Sequence, residues 1–113
     1  MTDADFIVVL VTTSSAIEGE RIARALVGEG LAACVNRVGP IRSTYAWQGA
    51  VEDAEEYLLV AKSRRRQFDA LEARVRALHS YEVPEVIAVP LVAGSAPYLE
   101  WLAAGSAGRP VGT

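Results

Sequence analysis

The chain has 113 residues, 51% of them apolar and 22% charged, with a formal net charge of −3. This length and composition fit one globular domain and lie far from the low-hydrophobicity, high-charge signature of disorder. The acidic balance argues against the basic surface that nucleic-acid binding requires, and the single cysteine, Cys34, excludes an internal disulfide framework.

The start, Met1 to Asp5, is acidic where a signal peptide is basic, and the apolar run Phe6 to Val11 is too short to span a bilayer. A soluble cytoplasmic protein with no membrane and no nucleic-acid partner is expected. The run Phe6 to Val11 is rich in β-branched residues and predicts a strand buried on both faces, ending at Thr12-Thr13. Ser15 with Glu18 three residues on fits a capping box, in which each side chain satisfies the other's free N–H. The helix that follows places Ile22, Ala25 and Leu26 on its buried side, and Gly30 suits a left-handed cap.

Leu31 to Val38 returns to β character, and Gly39-Pro40 breaks or bends it. Ile41, Ser43, Tyr45 and Trp47 then alternate with Arg42, Thr44 and Ala46, the period of a half-exposed strand. Gln48-Gly49 reads as a hairpin turn and Val51 to Ala61 as the partner strand. Two such strands form a ribbon that extends past a small domain, and its free edges need a partner.

Ser63 is placed to cap the next helix, whose apolar stripe is Phe68, Leu71, Val75 and Leu78. That helix should end near His79, because residues before Pro84 are pushed out of the helical region. Glu85 to Val89 predicts a strand, and Pro90, with no N–H, marks its end or an edge position. After Gly94-Ser95, residues Tyr98, Leu99, Trp101 and Leu102 predict a short helix packed by its aromatics. The order strand-helix-strand-strand-helix-strand plus a terminal helix is the α+β, ferredoxin-like βαββαβ arrangement. It has an antiparallel sheet, a long β-hairpin and both main helices on one sheet face. One domain is expected across 1–113, with its core at about 6–102 and a flexible tail at 103–113.

Three blocks now carry a resemblance. Gly30-Leu31-Ala32-Ala33-Cys34-Val35-Asn36 resembles the GLAACVN signature of the CutA divalent-cation tolerance family. Ile41 to Gly49 resembles its I-x-S-x-Y-x-W-x-G ribbon, and Leu78 to Glu85 its L-H-P-Y-E-V-P-E loop, with Ser80 standing where the family usually has proline. Tyr98-Leu99 and Trp101 match as well. The resemblance implies a tight homotrimer with ribbons pairing between subunits. It also implies a role in metal-ion tolerance, copper binding in some members, and no established catalysis. At fold level the chain also resembles trimeric PII signalling proteins.

Soft ligands suit copper, and the chain offers one Cys, one His and one Met, without CxxC or HxxxH spacing. One copy cannot build a soft four-ligand cage. A site for copper or another divalent metal would draw on Cys34, His79 and Glu82, across subunits. The competing readings are a buried, inert thiol at Cys34 and a helix-end imidazole favoured by the dipole at His79. The loop from His79 to Glu85 gathers an imidazole, a phenol and two carboxylates, and Tyr81, Glu82 and Glu85 are candidates for a ligand cleft between subunits. Alternatively Tyr81, Val83 and Pro84 simply lock the chain direction and the acids are solvated.

Tyr45 and Trp47 share a strand face and either pack on a neighbouring subunit or stack on a ligand. Lys62, the only lysine, is read as an anion contact or a salt-bridge partner, and Arg64-Arg65-Arg66 as an anion contact or a solvated helix start. Three functions remain open. One is a metal-responsive trimer. A second is a PII-like trimer taking a small anionic metabolite or a partner protein in its clefts. The third is a hydrolase in which Cys34 and His79 form a dyad, which requires the fold to bring them together.

Overall fold

The computed structural model describes residues 5–108. Strand β1 (Phe6–Thr13) leads to helix α1 (Ala16–Gly28), then to the ribbon strands β2 (Cys34–Trp47) and β3 (Ala50–Arg64). A 3₁₀ turn (Arg65–Gln67) opens helix α2 (Phe68–Leu78), which is followed by β4 (Val86–Pro90) and α3 (Ala96–Gly105). The sheet order is β2-β3-β1-β4, and every pairing is antiparallel. This is the ferredoxin-like arrangement read from the order of elements. Pro90 closes β4, which is indeed an edge strand.

Strand alternation sorts the sheet into two faces. Ile7, Val9 and Val11 of β1 and Leu59 and Ala61 of β3 are buried beneath Ile22 and Leu26 of α1 and Leu71 and Val75 of α2. Both main helices therefore cover one face. Ala25, expected on the buried side of α1, is only half-buried; Ala23 takes that place. The residues between those core positions, among them Val8, Leu10, Leu58 and Val60, point to the other face. Toward the Phe6 end α3 covers it, packing Leu99 and Leu102 against Phe6 and Ala33. The expectation that α3 packs by its aromatics is corrected here: Tyr98 and Trp101 stack on each other at 5.6 Å between ring centroids and stay exposed.

The ribbon forms as its sequence dictates. Gln48 and Gly49 both have positive φ (50° and 82°), the primed turn that matches strand twist and joins Trp47 to Ala50 directly. Gly39-Pro40 bends the strand without breaking it. The register shifts between Val38 and Ile41, and β2 runs on through the irregularity. A Cβ on Gly39 would stand 2.3 Å from the Tyr57 ring, so only glycine fits at the bend. The chain measures 45 by 33 by 22 Å, longer in one direction because the ribbon outruns the body.

Several boundaries differ from expectation. Leu31 to Ala33 is not strand: the N–H groups of Leu31 and Ala32 both bond to Leu26 O, finishing α1, with Gly30 at φ 70° as the left-handed cap. Ser63 caps no helix. It lies in β3, fully buried, and donates to Leu31 O at 2.5 Å, while α2 has no side-chain cap. Of the tail expected at 103–113, residues 103–105 belong to α3, Ser106 is buried and Gly108 N–H bonds to Gly30 O; residues 109–113 lie outside the described residues.

Candidate functional site

The chemistry-bearing residues gather where the C-terminal end of β1, the base of the ribbon and the loop after α2 meet. His79 ends α2 by turning to an extended backbone, its N–H still bonded to Val75 O. Its ring is then held at both nitrogens. Nδ1 accepts from Tyr81 N–H at 3.0 Å, which assigns the ring proton to Nε2, 2.7 Å from the Thr12 carbonyl. The imidazole is a strut between β1 and the loop. The Tyr81 ring lies 4.7 Å from it, centroid to centroid.

Tyr81 Oη donates to Glu56 Oε2 at 2.9 Å. Burial and the neighbouring Glu56 carboxylate push the phenol up to about 12, so it stays a neutral donor throughout the physiological range. Glu56 is only 9% exposed, at the point where β3 passes from its exposed ribbon half to its buried half.

Glu18 makes only half of the capping box expected of it. Ser15 Oγ does accept from Glu18 N–H at 3.1 Å, half of the expected capping box. The Glu18 carboxylate does not return to Ser15. It is buried, and it takes Ser80 N–H at 2.8 Å and Ser14 N–H at 3.3 Å. Burial pushes its pKa up, but the hydrogen bonds from Ser80 and Ser14 outweigh this and hold it below the ordinary 4.5. Ser80 thus supplies an N–H that a proline would lack, and the loop is anchored at this point.

Beside this anchored loop opens a cavity of about 1000 Å³. The strands contribute Thr12, Ser43, Tyr45, Trp47, Glu52 and Glu56 to its wall, and the loop contributes Tyr81, Glu82, Val83 and Glu85. Five candidates from the sequence, Tyr45, Trp47, Tyr81, Glu82 and Glu85, are therefore brought together. Lys62 is not among them. It lies six residues along β3 from Glu56, about 20 Å at the usual strand rise, and bonds to Asn36 Oδ1. Among the described residues no basic side chain lines the cavity, so its polarity there is the reverse of what an anionic metabolite needs. The arginine run builds no anion cradle either: Arg64 lies over the Phe6 ring at 5.7 Å, and Arg65 and Arg66 are exposed.

The metal donors fare differently. Cys34 is half-buried and pairs with Lys62, which pairs with Val8. The Thr12 carbonyl that anchors His79 is four residues further along β1, so about 13 Å of strand separates the two. Both His79 nitrogens are occupied. Among the described residues no group of three His, Cys, Asp or Glu side chains is placed to hold a metal ion. The donors of a single chain thus do not fit copper or another soft divalent ion, and Cys34 and His79 do not meet as a catalytic dyad.

An antiparallel four-stranded sheet with two helices on one face, a long ribbon and an acidic, aromatic cavity along it defines a small ferredoxin-like protein. The chain belongs to the CutA1 divalent ion tolerance protein family, whose model matches residues 7–105. It is 48% identical over 95 residues to the divalent-cation tolerance protein CutA of Thermus thermophilus, covering 84% of this chain and 92% of that one. It is also 48% identical over 101 residues to the chloroplastic protein CutA 1 of Oryza sativa, covering 89% of this chain but only 57% of the rice protein's length. The crystal structure of CutA1 from Oryza sativa superposes with a TM-score of 0.88 at 46% identity, covering 91% of this chain and 94% of that one. The Thermus thermophilus structure gives 0.84 at 47%, covering 86% and 94%. No helix among the described residues is long and apolar enough to cross a membrane.

Proposed function

We propose that the protein is a homotrimeric, non-catalytic divalent-cation tolerance protein acting in the cytoplasm. The family match supports the cation role, and relatives carry it in their names. The observation that carries the assembly is the uncovered sheet face. Val8, Leu10, Leu58 and Val60 are half-buried there, and beside them Val38, Ile87 and Val89 are each about half exposed. Tyr45 and Trp47 add exposed aromatic surface along the unpaired ribbon edge, and exposed apolar patches of this kind mark interfaces. Copies of the chain are the occupant that suits this face, because each copy brings the same face and the same free strand edge. Cys34, His79 and Glu82 do not meet in one chain, so a copper or other divalent ion held by them bridges chains and displaces Tyr81 N–H from His79 Nδ1.

Sedimentation equilibrium at micromolar concentration tests this. The expected mass is three times the 12.1 kDa of one chain; a single-chain mass contradicts the assembly. A second reading, a PII-like scaffold trimer that takes a small ligand in its clefts, is favoured by the cavity between the ribbon and the loop.

A further inference from the structure

We propose that Lys62 of one copy pairs with Glu56 of the next, so that the trimer closes head to tail through a repeated ion pair. This rests on the assembly proposed above and goes beyond it by naming the contact that aligns the copies.

Both residues lie on β3. Its even positions face away from the two main helices and read Glu56, Leu58, Val60, Lys62. A carboxylate stands at one end of this strip and an ammonium at the other, with about 20 Å of strand between them. Apolar side chains fill the middle: Leu58 and Val60, then Val8 and Leu10 beside them on β1, then Val89 and Ile87 on β4. Lys62 is half-buried even in one chain. Among the described residues its ammonium meets no carboxylate, and its partner is the neutral Asn36 Oδ1.

A copy that covers this face takes the ammonium out of water. A covered ion is strongly destabilising unless an opposite charge arrives with it. The covering copy presents the same strip, and the carboxylate of that strip nearest its apolar middle is Glu56. Tyr81 Oη takes Oε2 of Glu56, and among the described residues Oε1 has no donor. One oxygen therefore remains for an incoming ammonium.

The charges also select the alignment. A patch meets its own kind only across a two-fold axis, so copies in a ring of three meet through unlike patches. Strips set side by side and pointing the same way would gather the ammonium groups at one end and the carboxylates at the other. Head to tail, each Lys62 reaches the Glu56 of the next copy, and no like charges face each other.

Lys62→Met, Glu56→Gln and the double variant test this in the full-length protein. The readout is the chain concentration at which half the trimer dissociates, followed by sedimentation in urea at a fixed concentration that partly dissociates the wild type. Glu56→Gln keeps an acceptor for Tyr81. Each single variant should raise the half-dissociation concentration at least about tenfold, because it leaves one charge covered and unpaired. The double variant should be no worse than the weaker single, although changes about 20 Å apart in one chain ordinarily add. Glu55→Gln, on the opposite face of β3, should add to Lys62→Met without coupling. Ile87→Asp places a charge in the middle of the strip to keep the copies apart, and in its single chains the urea midpoints should show no coupling between positions 62 and 56. Single variants that dissociate like the wild type, or losses that simply add, overturn the pairing and leave the assembly standing. Coupling that persists in the Ile87→Asp chains also overturns the pairing, since it is then carried within one copy. A single-chain mass for the wild type without urea overturns both.

Discussion

Ile87→Asp should convert the protein from a trimer to single chains while leaving the fold of each chain intact. In one chain Ile87 is 52% exposed on the edge strand β4, opposite Leu10 on the uncovered face. A substitution at such a position in a monomer changes stability within about 0.5 kcal/mol. In an assembly that buries this face, the same carboxylate would be desolvated without a partner, which costs several kcal/mol and is repeated in every copy. The two readings thus differ by the whole interface. Sedimentation of the variant should give the mass of one chain, with far-ultraviolet circular dichroism unchanged. An unaltered trimer would show that this face is not the contact surface.

Glu18→Ala should lower stability by roughly 3 kcal/mol, because it removes charge-assisted hydrogen bonds worth about 1.5–3 kcal/mol each. Measured at equal chain concentration, the fall in Tm should be roughly 10 °C or more. The loss should fall first on the loop from His79 to Glu85, since Ser80 N–H loses its acceptor. The pH dependence has a definite sign. The folded-state pKa of Glu18 lies below the ordinary 4.5, so the unfolded chain binds its proton first as pH falls. The stabilisation is complete above that value and is lost as pH falls through the lower, folded pKa. Comparison with Glu18→Gln should therefore show a stability difference that is constant near neutrality and shrinks below about pH 4.5. A difference independent of pH would mean that the carboxylate's charge contributes nothing.

Much of this was legible in the chain because local rules decided it. The β-branched run Phe6 to Val11, the stripe at Phe68, Leu71, Val75 and Leu78, the turn at Gln48-Gly49 and the cap at Gly30 are all fixed by neighbours a few residues away. The misplaced residues are those whose partners are far along the chain. Ser63 has the composition of a cap, but strand parity turns it inward with Leu59 and Ala61, and its hydroxyl meets Leu31 O. Glu18 has the spacing of a capping box, yet its carboxylate is taken by a loop 62 residues away. Cys34 is a candidate as a soft metal ligand and Lys62 as an anion contact. Their separation from the cavity depends on register, which places them directly opposite each other at the far end of the ribbon. The cavity's acidity was half visible: Glu82 and Glu85 stand in the loop, but Glu52 and Glu56 join them only through the pairing of Tyr45 with Glu52 and Ile41 with Glu56.

The central claim is that β2, the outer strand of the ribbon, is finished by another copy of the chain. Hydrogen exchange followed amide by amide reads this directly, at a concentration well above assembly and again in the Ile87→Asp variant. The N–H groups of β2 that do not bond to β3 should be protected in the wild type nearly as well as those that do, and should exchange freely in the variant. Outer-edge amides that exchange at the rate of an open strand in the wild-type protein would contradict the account.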